Sequence, residues 1–160
     1  MGRKKMAILL LGIMFIAAAG VAAYFFVFHK ANPPLNKSEV KIGNNVFNVE
    51  IASTTIEKAR GLSFRERLGD SDGMLFIFNE PAVQSFWMID MNFSIDMIWI
   101  GGGKVLGFAE NVPAPTSAIS LSSTVRNSPD GTDRVLEVNA GAVAKENIKV
   151  GDAVQIGYGG

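Results

Sequence analysis

The residues of this chain that could do chemistry are carboxylates, arginines and aromatic rings, because its 160 residues include one His, at position 29, and no Cys. Thiolate-based zinc and iron–sulfur sites are excluded, as are disulfides, and a Ser-His-Asp triad would need His29 to leave the edge of a long apolar segment. No cofactor and no metal site is expected. Asp70 with Asp72 and Asp130 with Asp133 offer hard oxygen ligands, but neither pair follows an EF-hand pattern. Gly101-Gly102-Gly103-Lys104 lacks the outer glycine spacing and the following Ser or Thr of a phosphate-binding loop.

Two carboxylates are set apart by their neighbours. Asp96 abuts the apolar run Met97 to Ile100, and Glu137 lies inside Val135 to Val138. A carboxylate in such a place is desolvated and needs a partner. Arg60 and Arg65 are suitable, because a guanidinium fork binds both carboxylate oxygens. Two readings stay open. In one, an arginine–carboxylate network pins a short helix against a sheet. In the other, an arginine holds an anionic ligand group in a cleft where Asp90, Asp96 or Glu137 accepts hydrogen bonds or acts as a base. Phe86, Trp87 and Met88 span both faces of an extended segment, so at least one points away from the main core, and Trp87 is either packing or a ligand platform. The candidate ligand-binding set is Arg60, Arg65, Trp87, Asp90, Asp96 and Glu137; no catalytic residue is assigned.

The elements that must position these residues are mostly short strands. Phe47, Val49 and Ile51 alternate with polar residues as in a half-buried strand, whereas Met74 to Phe78 and Met97 to Ile100 are continuous apolar runs of a strand covered on both faces. Gly101 to Gly103 predicts a hairpin into Lys104 to Glu110. Val135 to Val138 reads as a strand, and Gly151-Asp152 as a turn into Val154, Ile156 and Tyr158. Thr54 to Glu57 has capping-box spacing and opens a short helix that Gly61 closes; Ala140 to Glu146 predicts a second, ended by Asn147. Asn111 to Pro129 is a long polar connection whose shape the sequence leaves open. The fold class expected is mainly β, a single compact β-sandwich or barrel-like domain with two short helices, preceded by one N-terminal transmembrane helix.

That helix is expected over residues 6–28, which contain no charge and at about 1.5 Å per residue reach roughly 35 Å, enough to span a bilayer with tilt. Residues 1–5 carry Arg3, Lys4 and Lys5, which places the amino terminus in the cytoplasm and the remainder outside. A cleaved signal peptide would leave the apolar Tyr24 to Phe28 on the mature chain, so an anchor is the better reading. Residues 29–38, with Asn-Pro-Pro, form a linker, and 39–158 the extracytoplasmic domain. Beyond Lys30 there are 11 basic and 15 acidic residues, a net charge of −4, so no nucleic-acid partner is expected.

The outer part also carries a set of ordered motifs: Arg60-Gly61-Leu62, Phe64-Arg65, Gly73-Met74-Leu75-Phe76, Ser85-Phe86-Trp87-Met88, Ile95-Asp96-Met97, Leu136-Glu137-Val138-Asn139-Ala140-Gly141 and Ile148-Lys149-Val150-Gly151-Asp152. In these it resembles the domain of unknown function 192 family over roughly residues 45 to 157. The resemblance implies a compact, mostly β domain of bacteria and archaea, commonly behind a signal or membrane segment, with no established reaction. Ile89-Asp90-Met91 stands where the family usually has Lys-Asn-Thr or Lys-Asn-Met, and Ser94 where it has Pro. The functional expectation is a non-catalytic envelope module that touches the membrane through its N-terminal helix. Its ligand is a small anion or carbohydrate, or its partner an envelope protein. The competing expectation is a hydrolase of cell-surface carbohydrate using Asp96 and Glu137, which needs two carboxylates roughly 5 to 10 Å apart across a cleft.

Overall fold

The computed structural model describes residues 34–158. The basic start, the membrane segment and residues 29–33 of the linker lie outside the described residues. No helix among the described residues is long and apolar enough to cross a membrane.

Nine strands follow in order: β1 Lys37–Ile42, β2 Asn45–Ala52, β3 Asp72–Ala82, β4 Ser85–Phe86, β5 Ile95–Gly101, β6 Lys104–Val112, β7 Arg126–Asn127, β8 Thr132–Asn139 and β9 Val154–Tyr158. Helices α1, Thr55–Arg60, and α2, Ala142–Lys145, interrupt them. Seven strands form one sheet in the order β6-β5-β8-β3-β2-β1-β9. All pairs are antiparallel except β2 with β3, whose parallel pairing requires the crossover that contains α1. The two ends of the sheet approach one another: Lys104 bridges Ala153, the Val105 amide donates to the Asp152 carbonyl at 2.9 Å, and the Gly151 amide donates to the Val105 carbonyl at 2.8 Å. The result is mainly β, a curled sheet in the form of a half-barrel with two short helices. Of the two architectures left open by the sequence, the sheet adopts the barrel-like one.

Curling gives the sheet two buried faces. The inner one is filled by side chains including Val40, Val49, Leu75, Ile98, Leu136 and Val138. The outer one, with Met74, Phe76, Met97, Trp99 and Val135, is covered by the segments around Leu62, Phe86, Met88 and Met91. This double cover explains why all seven residues of β5 are buried, as its unbroken apolar run predicts. β4 and β7 pair with each other, and the Ser128 amide donates to the Gln84 carbonyl at 2.9 Å, so the long polar connection is strapped to the covering layer.

The capping box of α1 is present: the Glu57 amide donates to Thr54 Oγ1 at 3.2 Å, and the Thr54 amide to Glu57 Oε2 at 2.8 Å. Ile56 and Ala59, three apart, do not form a core-facing stripe, since α1 has no buried residue and Ile56 is 77% exposed. A helix under two turns long lies on the sheet as a lid and not as a core element. α2 begins two residues later than expected, and Asn147, at φ 53°, follows its end. β1 starts inside the segment read as linker: Lys37 and Ser38 are strand residues, with Ser38, Val40 and Ile42 turned inward.

Candidate functional site

Glu137 occupies the middle of β8, directly opposite Met97 of β5 on one side and Met74 of β3 on the other. Opposed residues of paired strands share a face, so its carboxyl enters the outer core between two methionines. There it meets a cavity of about 240 Å³. One wall is α1 and the turn after it, with Lys58, Arg60 and Leu62; the other is Phe76 and Phe78 of β3 with Phe86 and Trp87.

Local chemistry shapes each wall. Gly61 holds φ 49°, and a Cβ there would lie 3.2 Å from Phe76 Cζ, so glycine both turns the chain and lets it rest on the ring. Phe86 meets Phe76 and Phe78 edge-on, with centroids 5.1 and 6.2 Å away. The Lys58 ammonium donates to the Ile77 carbonyl at 3.0 Å and lies 4.9 Å from the centre of the Phe78 ring. Trp87 is the member of Phe86-Trp87-Met88 that faces outward, at 48% exposure.

The rim joins two loops. The Phe64 amide donates to the Asp90 carbonyl at 2.8 Å, Ser63 Oγ donates to the Ile89 carbonyl at 2.7 Å, and Asn92 Nδ2 to the Arg65 carbonyl at 2.9 Å. Phe64 and Asp90 hold φ 64° and 56°, a left-handed conformation that is costly for an aromatic residue. Such strain persists where the surrounding contacts over-determine it, and it clusters at functional sites.

No hydrogen bond from a described residue reaches the Glu137 carboxyl, and burial pushes its pKa up to about 8. An apolar residue of similar volume would be cheaper in a central strand, because a buried carboxyl without a partner keeps its whole desolvation cost. Asp96 is different. It faces the inner core opposite Val138, and its two oxygens accept the amides of Asn111 at 2.7 Å and Val143 at 2.9 Å. The first amide lies at a bulge, where Ile95 faces Val112 but Met97 faces Ala109. The second belongs to the first turn of α2, whose own N-cap, Gly141, has no side chain to offer.

Of the six residues singled out by sequence, Arg60, Trp87 and Glu137 line one cavity. Arg65 lines another, of about 740 Å³, beside β1 to β3, and makes a bidentate pair with Glu50 at 2.8 and 2.7 Å. The hydrogen bonds from Arg65 hold the Glu50 carboxyl below its ordinary range. An arginine fork therefore does pin the segment after α1 to the sheet, but the carboxylate it grips is Glu50, not Asp96 or Glu137. Because these central charges of the larger cavity satisfy each other, the smaller one is the better candidate. Asp90 is not among the residues lining the cleft, its carbonyl instead tying its loop to Phe64, and Asp96 lies on the opposite face. Among the described residues lining the cleft, Glu137 is the one carboxylate, so a two-carboxylate hydrolase built on Asp96 and Glu137 lacks its second member here. The candidate set read from the sequence did not include Lys58, Phe76 or Met91; Lys58 is legible as a last-turn basic residue two positions before Arg60.

The model of the family DUF192, described as "Uncharacterized ACR", matches residues 38–156. The chain belongs to this family. Two solved structures resemble this DUF192 member. One is described as a candidate transcription regulator from Sinorhizobium meliloti, with 25% identity, a TM-score of 0.69 and coverage of 78% of this chain and 97% of the other. The second is a protein of unknown function from Novosphingobium aromaticivorans, with 33% identity, a TM-score of 0.66 and coverage of 79% and 94%. No curated protein matches the chain.

Proposed function

We propose that this DUF192 member is a membrane-tethered envelope module that binds a small ligand in the cleft beneath α1 and carries out no reaction of its own. The observation behind the ligand reading is the carboxyl of Glu137, a residue only 4% exposed, without a described hydrogen-bond partner and bordering a cavity that Phe76, Phe78, Phe86 and Trp87 line. Ligand sites are concave and largely apolar, with a few polar groups that fix orientation, and this cleft has that composition. Support for the location comes from the sequence, in the uncharged residues 6–28 behind Arg3, Lys4 and Lys5. The description of the Sinorhizobium protein is not carried over, because the part after Lys30 has a net charge of −4, which opposes phosphate binding.

The ligand reading is tested on the full-length chain in detergent by thermal unfolding against sugars, organic anions and amines. A ligand at a hundred times its Kd stabilises by about 2.7 kcal/mol. At least one class is expected to raise the Tm, and Glu137→Leu to remove the rise; a panel with no effect overturns the reading. Protease added to intact cells should digest the folded head, and protection of the head overturns the proposed orientation.

A further inference from the structure

Resting on that reading of the cleft, we propose that its ligand is a small organic carboxylate. The apolar body would lie against Phe76, Phe86 and Trp87, and the carboxylate would accept a hydrogen bond from the carboxylic acid of Glu137 beside Lys58 and Arg60.

The charges facing the cavity fix the sign of the guest. Around Glu137, β3 and β5 present Met74 and Met97, and β4 presents the Phe86 ring; among the described residues of the lining, α1 brings the basic groups, Lys58 and Arg60. Glu137 is held protonated through neutral pH by its burial, so beside the Lys58 ammonium the lining presents a neutral acid. A protonated carboxyl is a hydrogen-bond donor, and a donor in an apolar pocket is complementary to an anionic oxygen. Lys58 is held at the wall by Ile77 and Phe78, and one of its three N–H donors is engaged there. An ammonium guest would meet the like charge of Lys58. A hydrocarbon would leave Glu137 without a partner. A neutral amide would satisfy Glu137 but gain little from the cations. The volume, about 240 Å³, is below the roughly 300 Å³ at which drug-sized ligands begin, so the body is about one ring in size.

The test uses three probes with the same ring and different heads: benzoate, benzamide and benzylammonium. Each is titrated calorimetrically into the full-length chain in detergent, at pH 6 and pH 9, in buffers of different ionisation enthalpy. Benzoate should bind at least about tenfold more tightly than either of the others, as expected for one charge-assisted hydrogen bond. Its binding should take up close to one proton at pH 9 and none at pH 6, because the bound anion requires the acid form of Glu137. In Glu137→Gln, whose amide can still donate, benzoate binding should persist while the proton uptake disappears; Glu137→Leu should abolish both. If benzamide or benzylammonium binds better than benzoate, or benzoate binds wild type without proton uptake at pH 9, the carboxylate inference falls while the cleft remains a ligand site. If none of the three binds, the carboxylate inference falls, and the cleft as a ligand site stands or falls with the thermal-unfolding panel that includes sugars.

Discussion

Asp96 and Glu137 lie on adjoining strands, are almost wholly enclosed, and face opposite sides of the same sheet. On the inner face, Asp96 spends both oxygens on amides that the bulge of β6 and the start of α2 would otherwise leave open. On the outer face, Glu137 has only apolar neighbours on its own sheet and a cavity beyond them. Burial alone therefore does not distinguish a structural carboxylate from a site; the number of committed partners does. On the inner face both carboxylate oxygens are committed, and on the outer face no described residue donates to the carboxyl.

The sharpest way to break this contrast is to remove each carboxylate in turn. Asp96→Ala should destabilise by about 5 kcal/mol, since two buried amides lose charge-assisted hydrogen bonds. Denaturant unfolding measures it, and a change below about 1 kcal/mol would mean that the two faces are equivalent after all. Glu137→Gln should act in the opposite direction and depend on pH. Below the ordinary carboxylate range both folded and unfolded wild type hold the proton, so burial of the neutral acid costs no ionisation energy. As pH rises from there to about 8, the unfolded chain ionises while the folded one does not, and wild-type stability falls. The variant has no such slope. It should exceed wild type by on the order of 4 kcal/mol at pH 8 and converge with it near pH 4.

Two smaller changes probe the connection between the faces. Gly73 of β3 carries no side chain where a Cβ would approach the Glu137 carbonyl oxygen to 2.9 Å. Gly73→Ala must push β3 and β8 apart, at a cost of about 2 kcal/mol, and should disturb amide signals on both faces of β8. Arg65→Leu removes the fork on Glu50, whose partners are partly solvent-exposed, so about 1 kcal/mol is expected at neutral pH. That contribution is present above the ordinary carboxylate range and vanishes on acidification through the lowered pKa of Glu50. The difference between variant and wild type should shrink accordingly.

The parts of this arrangement that rest on local patterns were legible in the sequence. The capping box at Thr54 to Glu57, the doubly covered runs of β3 and β5, the hairpin at Gly102-Gly103 and the outward turn of one residue in Phe86-Trp87-Met88 each follow from spacing and residue type. That Asp96 and Glu137 would be desolvated was also readable, from their apolar flanks. Which partner each receives was not. That depends on strand register, since a shift of one residue exchanges the two faces, and on amides contributed by a bulge and a helix start far along the chain. Arg65 closing on Glu50 depends in the same way on the β2–β3 crossover, which brings together residues fifteen apart. The candidate set was thus half assembled: Arg60, Trp87 and Glu137 meet, while Arg65, Asp90 and Asp96 serve the scaffold around them.

The finest discrimination comes from Trp87, where fold and site make different demands. Nearly half exposed, it contributes little to the covering layer, so Trp87→Ala should change unfolding free energy by no more than about 0.5 kcal/mol, as for other surface substitutions. If its ring is a wall of a binding cleft, the same substitution should nevertheless weaken any ligand that the Glu137 variants implicate, by roughly threefold to tenfold, as expected for loss of one aromatic contact of about 0.5–1.5 kcal/mol. Ile56→Ala is the control, an equally apolar and still more exposed residue on α1 that is not among those lining the cleft. Equal losses at Ile56 and Trp87 would point to a diffuse apolar surface. A loss confined to Trp87, with stability intact, would tie the exposed ring and the buried acid to one ligand.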